Sequence, residues 1–497
     1  MIRRLALALV FTLGCAISGL FAASQPAPTL VLQGTLTRAD YQTYRLLPFR
    51  VPPGTRRVTV ELRYTGHKQH TVIDLACFDE SRFRGSSGGK SQFTISATDA
   101  TPSYLPGPIR PGIWKVMLAV PNIRRGVTSH YQVKIWLARS EHADAGLPLV
   151  APVLRDAPGW YEGDLHMHTA HSDGSCRSLS GTPVPCPVFV TAQAAARKGL
   201  DFIAITDHNT SSTYNAEREL QPWFDTVLFL HGREITTFFG HANVFGTERF
   251  IDYRVGYQGR TINDVIADAH RNGALFSINH PADPSGEACM GCGWTAPHTD
   301  FGHVDAIEVI NGTQAEGPLS GIPFWQAQLN QGHRITAIGG SDTHRPDQPP
   351  PQQGTPTTVV YARQLSEAAI LDGIRAGHVY LKMAGPQGPD LFLTAEAQGH
   401  AYQMGDEIHL RRGDALTLQI RTEAAAGDRL ELVQDAGGHT RLDQPQLHSA
   451  HAVRTLHLTA DGQRHWYRVN LRDASGKLVA LTNPIYVNFA DGGRSGH

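Results

Sequence analysis

Three regimes of hydrophobic patterning succeed one another along the chain. From residue 26 to about residue 140, apolar side chains come in short alternating or β-branched runs, at 29–32, 57–64, 92–95, 114–119 and 131–137. Pro52-Pro53-Gly54, Pro106-Gly107 and Pro111-Gly112 punctuate them. A period of two sends successive side chains to opposite faces of a strand, so the stretch 26–140 predicts an N-terminal β-sandwich or jelly roll. Residues 141–158 are rich in Ala, Pro, Asp and Gly and predict a linker.

The character then changes. Across 159–385, apolar strand candidates at 202–206, 227–230, 275–278, 306–310, 335–338 and 357–361 alternate with helical periods at 188–198, 262–271, 323–331 and 366–375. Strands alternating with helices predict an α/β unit with a parallel sheet or barrel. Gly385-Pro386-Gln387-Gly388-Pro389 marks a second boundary. Strand-like runs return at 391–396, 415–422, 429–434, 453–458, 466–471 and 484–488, so residues 386–497 predict a C-terminal β-sandwich.

The first 23 residues read as an export signal. Arg3 and Arg4 precede an apolar run from Leu5, and small residues follow at Ala22, Ala23 and Ser24. Gly14, Ser18 and Gly19 interrupt the run, which argues against a membrane anchor. Cys15 invites a lipoprotein reading, but Phe11, Thr12 and Leu13 before it fit a lipidation site poorly. The expected location is secreted or periplasmic, with no membrane span after cleavage. An oxidising compartment then favours disulfides. Cys176 and Cys186 flank a loop with Gly181, Pro183 and Pro185, and a local disulfide is the favoured pairing. Cys289 and Cys292 form a C-x-x-C that could pair locally, act in redox, or form half of a metal site. His298 and His303 make a zinc knuckle conceivable, though the spacing matches no standard finger. Pairing across the two couples is also open, and Cys77 reads as a buried small apolar residue.

Charge adds little. Lys and Arg number 44 and Asp and Glu 45, for a formal net charge of -1. That balance gives no footprint for stable duplex nucleic-acid binding, while bound metals could still attract a small anion. A small-molecule substrate is the expected partner.

The 25 histidines do change the picture. Strand after strand of the 159–385 segment runs into a metal-ligand type. His166 and His168 are two apart, so on a strand they share a face. The 202–206 strand leads into Asp207-His208. The 227–230 strand is followed by Glu234 and His241, the 275–278 strand by Asn279-His280, and the 335–338 strand by Ser341-Asp342-Thr343-His344. In a parallel barrel the C-terminal strand ends converge on one face. Any one of these residues alone would more simply be a solvated or hydrogen-bonded side chain. Their recurrence at one topological position points to a shared cluster of two or three divalent ions, with a nitrogen content suited to Zn, Mn or Fe.

The combination His166-Met167-His168, Ser172-Asp173-Gly174, Thr206-Asp207-His208-Asn209, Glu234, His241, Asn279-His280-Pro281 and Gly340-Ser341-Asp342-Thr343-His344 resembles the PHP (polymerase and histidinol phosphatase) domain. Gly232-Arg233-Glu234-Ile235-Thr236-Thr237, Gly240-His241-Ala242-Asn243-Val244 and Glu308-Val309-Ile310-Asn311-Gly312 resemble its CehA/McbA-like branch, which includes phosphoesterase-like proteins and aryl carbamate hydrolases. The resemblance implies a distorted (βα)7 barrel with up to three metals. It implies His166, His168, Glu234 and Asp342 around one ion, and Glu234, His241 and His280 around a second, with Glu234 bridging. Asp173, His208 and His344 would hold a third. Some relatives carry His where Asp173 stands.

A water bridging two metals would be the nucleophile, so no Ser or Cys nucleophile is required. Asp207 would orient a ligand histidine or shuttle a proton, and Asp164 would stand behind the ligands. Arg345 is a candidate anion clamp. His171, Glu308, Asn311 and the segment 285–303 are candidates for substrate contact or a lid, whereas Arg197 and Lys198 suit a helix C-terminus. Three functions follow: a phosphoesterase, exonuclease-like activity included; a carbamate or carboxylic ester hydrolase; and a non-catalytic binding protein with structural metals.

Overall fold

The computed structural model describes residues 27–87, 90–139, 153–286, 291–348, 352–435, 439–440, 442 and 445–489. The segment expected to be an export signal, Cys15, most of the expected linker and Cys289 lie outside these residues. Among the described residues no helix is long and apolar enough to cross a membrane.

The alternating runs near the start form two four-stranded antiparallel sheets. Their inward side chains, among them Val58, Val60, Leu75, Phe93, Trp114, Val116, Val133 and Ile135, make one buried cluster. Outward positions alternate with them, as in Gly112–Asn122, where Trp114, Val116, Leu118 and Val120 are buried and the residues between them are not.

The middle of the chain is a mixed α/β assembly on a large mixed sheet. Gly159–Asp164 pairs in parallel with Phe202–Ile205, which pairs in parallel with Leu228–Thr236. A tight reversal follows, and His241–Phe245 runs antiparallel beside Leu228–Thr236. Leu275–Ile278 is antiparallel to that strand, and Ala306–Asn311 and Thr336–Gly340 then continue in parallel. Thr336–Gly340 ends the hydrogen-bonded path, but the chain just past it returns to the chain just past Gly159–Asp164 through a parallel bridge between Met167 and Thr343.

The four predicted helices appear as Val188–Lys198, Ile262–Arg271, Ile322–Gln331 and Glu367–Ala376. Thr261 caps the second, accepting from the amide of Asp264, whose carboxylate accepts in return from the Thr261 amide. Their apolar faces lie on strands that are buried throughout, such as Phe202–Ile205 and Leu275–Ile278. Each fully buried Leu, Ile, Val or Phe there contributes roughly 1.5–3 kcal/mol.

Two findings depart from the sequence reading. The C-terminal strands form two sheets around one buried core, but one of those sheets is hydrogen-bonded to the central one and so does not stop at Gly385. Val379–Lys382 pairs with Leu478–Thr482, so Arg429–Gln434 and His465–Arg472 extend the central sheet, while Asp390–Ala397 and Ala415–Glu423 belong to another. The short helix Tyr214–Leu220 was not predicted, because it buries Tyr214, Glu217 and Arg218 and shows no apolar stripe.

That helix belongs to a buried charge network joining the N-terminal sheets to the central assembly. Arg218 contacts Asp99, and Arg57 meets Glu248 at 2.9 Å. His231 lies 3.5 Å from Glu248 and 2.9 Å from Glu367. Glu217, beside them, has neither carboxylate oxygen hydrogen-bonded. Burial pushes its pKa up to about 8, with His231 pulling the other way. A carboxyl whose folded pKa is raised favours folding below its unfolded value and loses that contribution as pH climbs through about 8. Glu217→Gln should therefore match the parent near pH 5 and melt higher near pH 8.5, by about 2–4 °C for each kcal/mol relieved. Equal melting temperatures at both pH values, read by circular dichroism, would reject this account of Glu217.

Candidate metal centre

The structure brings all nine predicted ligand side chains together at one end of the central strands. Glu234 is the hub, almost fully buried within Leu228–Thr236. Its Oε2 lies 3.4 Å from Nε2 of His166, 3.4 Å from Nε2 of His168 and 2.8 Å from Nδ1 of His208. Its Oε1 faces the other way, 3.2 Å from Nδ1 of His241 and 3.4 Å from Nε2 of His280. Asp342 Oδ1 closes the first side, 3.3 Å from His166 Nε2 and 3.1 Å from His168 Nε2. Asp173, more exposed, sits 3.2 Å from His344 Nε2 and 3.8 Å from His208 Nε2.

Three groups of ligand atoms lie within 4.8 Å of one another: His166, His168 and Asp342; His166, Glu234 and His280; and His168, Asp173, His208 and His344. They overlap the expected sets but share more, since His166 belongs to two of them and His168 to two. His241 reaches the cluster for a reason the strand-end rule did not contain. It begins an antiparallel strand, opposite Thr236, so its start coincides with its neighbour's end.

Hydrogen bonds behind the ligands aim their ring nitrogens. His166 Nδ1 meets Glu308 Oε2 at 2.7 Å, and His280 Nδ1 donates to the Cys292 carbonyl at 2.8 Å. His168 Nδ1 meets Ser172 Oγ at 3.2 Å, and His344 Nδ1 donates to the Asp342 carbonyl at 2.9 Å. Occupying Nδ1 in this way turns Nε2 inward as the ligating atom. Asn279 donates to Glu234 Oε1 at 3.0 Å, and Asn311 donates to both Glu308 Oε1 and Asp342 Oδ2. Glu308 and Asn311 are thus supports of the ligands. The sequence offered them as strand-end residues lining the pocket, and the structure gives them hydrogen bonds to the candidate ligands instead.

Among the described residues, five buried atoms on the inner surface have no hydrogen-bond partner: Nε2 of His166, His168 and His241, Glu234 Oε2 and Asp342 Oδ1. Stranding one buried polar group costs about 1–3 kcal/mol, more if charged. Five converging on one space fit divalent cations, which would satisfy all of them at once. Without cations, protons partly do so. Burial disfavours a charged His166, yet Asp342, Glu308 and Glu234 together hold its pKa well above the usual value. His280 and His344 are raised to about 9 against the pull of burial, chiefly by Glu234 and by Asp173 respectively. Asp173 is lowered to about 2 by its hydrogen bond to His344.

Backbone geometry is part of the construction. His280 has φ +26° and Asp342 φ +49°, in the left-handed region that side chains other than glycine seldom adopt. Gly340 lies so close to the site that an added Cβ would stand 2.3 Å from His166 Cβ and 3.0 Å from Glu308 Oε2. Asp164 is fully buried and accepts from the amides of His166, Ser341 and Gly354, tying the His166 loop to the Asp342 loop. Its predicted place behind the ligands matches this position.

The remaining candidates separate. Asp207 accepts from the Thr169 amide and hydroxyl, from Ser172 Oγ and from Thr213 Oγ1. Ser172 stands between it and His168, so Asp207 positions a ligand at one remove rather than facing the cluster. Arg345 is exposed, and among the described residues none of the cluster's contacts involves it. His171 Nδ1 meets Ser212 Oγ at 2.7 Å, and Arg197 and Lys198 end their helix as expected.

The expected disulfide between Cys176 and Cys186 is absent: both are buried free thiols. The loop is closed instead by a small hairpin in which Cys176 faces Val184, and by backbone bonds from Cys186 to Gly174 and from Ala170 to Cys186. Cys292 is disulfide-bonded, which removes the thiolate that a zinc knuckle would need.

No family model and no curated protein matches the chain. Among solved structures, it is similar to a two-domain protein from Bacteroides vulgatus containing a predicted PHP-like metal-dependent phosphoesterase. Identity is 19% over 66% of this chain and 96% of that one, with a TM-score of 0.37. A second likeness is to a structure from Bifidobacterium adolescentis described as a metal-dependent phosphoesterase. It has 16% identity over 37% of this chain and 88% of that one, with a TM-score of 0.28. Likenesses at these TM-scores carry no weight for the chemistry of this chain.

Glu234→Ala should lower the metal retained per chain after dialysis, read by plasma emission. Gly340→Ala should do the same by displacing His166. Retention equal to the parent in Glu234→Ala would rule out Glu234 as a bridge.

Proposed function

We propose that the cluster holds two or three divalent ions and that the protein is a metal-dependent hydrolase, with a phosphoester as its substrate. The observation that carries the reading is the convergence of five unpartnered buried ligand atoms around Glu234. A site closed around one structural ion would leave fewer ligands and no shared carboxylate. This counts against the reading as a binding protein with structural metals.

In this reading His166, His168, Glu234 and Asp342 surround one ion, Glu234, His241 and His280 a second, and Asp173, His208 and His344 a third. Zn, Mn and Fe suit so many imidazoles. Bound divalent ions supply Lewis acidity, which acidifies water and offsets negative charge on the reacting ester. The protein's own groups do the rest. Glu308 holds His166 in the tautomer that presents Nε2, and the Ser172–Asp207 pair does so for His168. Asn279 and Asn311 fix the carboxylates, so little reorganisation accompanies reaction. Asp173, with His344 and His208 beside it, lies at the more exposed edge of the cluster.

Phosphoester cleavage is what the motif resemblance implies. A neutral ester or carbamate is the second reading. It is favoured by the lack of an Arg/Lys cluster in the motifs that carry the candidate ligands. The leader at residues 1–23 supports export as part of the same proposal.

Metal-depleted protein should be inactive, and Mn or Zn should restore turnover of p-nitrophenyl phosphate or bis-p-nitrophenyl phosphate above that of p-nitrophenyl acetate and an aryl carbamate. Faster turnover of the last two would favour the second reading, and no turnover of any would favour a binding protein. Glu308→Gln should weaken metal affinity by about 10–100-fold with the fold intact. An unchanged metal titration would reject its supporting role.

A further inference from the structure

The turn that follows Gln92–Ser96, at the edge of one N-terminal sheet, is gripped by the helix Tyr214–Leu220. The Ala100 amide donates to Asn215 Oδ1 at 2.9 Å, and Asn215 Nδ2 donates to the Thr98 carbonyl at 3.2 Å. Arg218 lies three residues further along, on the same side of the helix. It donates to the Ala100 carbonyl at 3.0 Å and contacts Asp99, a carboxylate fully withdrawn from water. Two helix side chains thus satisfy both the backbone of the turn and its one charge.

A seven-residue helix is too short to hold itself in water, so its place is set by what it touches. Tyr214 Oη points at the Gly232 and Thr247 carbonyls, at 3.2 and 3.3 Å. The start of the helix is used in an unusual way. Thr213 stands at the N-cap, where a hydroxyl ordinarily accepts from an amide of the first turn, but it makes no such bond. It donates instead to Asp207 Oδ2 at 2.9 Å. Asp207 also accepts from the Thr169 amide at 2.8 Å and from Ser172 Oγ at 2.5 Å. With its proton given to Asp207, Ser172 Oγ can only accept at its 3.2 Å contact with His168 Nδ1. That fixes the proton on Nδ1 and leaves Nε2 for the cluster.

The hydrogen bonds therefore run unbroken from an N-terminal turn to a candidate ligand. We propose that the N-terminal sheets are a positioning element for the metal centre. Their turn at 98–100 sets the helix 214–220, and Thr213 passes that setting through Asp207 and Ser172 to His168. Thr213, Asn215 and Arg218 are positioning residues, acting on His168 through Asp207. The effect on metal binding rests on the metal-centre reading, but the effect on the segment 166–173 does not.

The test uses the full-length chain, metal-free and with Mn added. In metal-free protein, Thr213→Val and Asn215→Ala should each speed hydrogen exchange across 166–173, read by mass spectrometry. Thr213→Ser keeps the hydroxyl and should exchange as the parent does. Mn affinity should fall about fivefold in Thr213→Val and in Asn215→Ala, less than for a direct support of a ligand. The double variant should lose no more than Thr213→Val alone, because both residues lie on one path. Unchanged exchange at 166–173 in Asn215→Ala would overturn the coupling, and this readout suffices even if Thr213→Val does not fold. Losses of Mn affinity that multiply in the double variant would overturn it too, as would a Thr213→Ser that behaves as Thr213→Val. A parent that binds no Mn, with the expected exchange pattern in the variants, would keep the coupling and reject the metal-centre reading alone.

Discussion

Glu234 carries a single carboxylate that must serve two groups of ligands at once, and much of the central assembly can be read as the means of holding it there. One oxygen faces His166, His168 and His208, the other His241 and His280. A buried charge in that position would be prohibitively unfavourable without compensation. The compensation comes from imidazoles delivered by separate strands, from the Asn279 amide, and from the cations the cluster is built to accept. His166, His168, His280 and His344 are braced by Glu308, Ser172 or a backbone carbonyl, and His208 by the Thr236 hydroxyl, so the geometry belongs to the fold and not to the ligands alone.

The convergence of the nine candidate side chains was legible in the sequence because strand ends are: a run of apolar residues that stops at His or Asp marks both the element and its tip. Four helices were legible for the same reason, since their apolar faces have a clean period. Illegible features were those in which polar residues are buried. The helix Tyr214–Leu220 hides its burial behind Glu217 and Arg218. Glu308 and Asn311 look like ordinary strand residues until His166 is placed against them. The left-handed backbone at His280 and Asp342 leaves no trace in composition. The reach of the C-terminal strands into the central sheet was also hidden, because strand pairing is non-local and the Pro-Gly run at 385–389 reads as a break whether or not the sheet continues across it.

The paired cysteines show a different limit. Cys176 and Cys186 suggested a covalent clasp on the loop after the first ligands, yet backbone hydrogen bonds already close that loop. Proximity in sequence established that the loop is tight and could not establish what tightens it.

The reversal between Thr236 and His241 deserves a last consideration. On either side of it the register is dictated by Glu234 and His241, which cannot slip without losing the cluster. Within it, Phe239 packs against the central core while Phe238 stands in solvent. The same few residues therefore divide into a part that is chemically fixed and a part that is free to vary. A change of side chain at the tip would alter the surface beside the cluster and leave the register of Glu234 and His241 as it is.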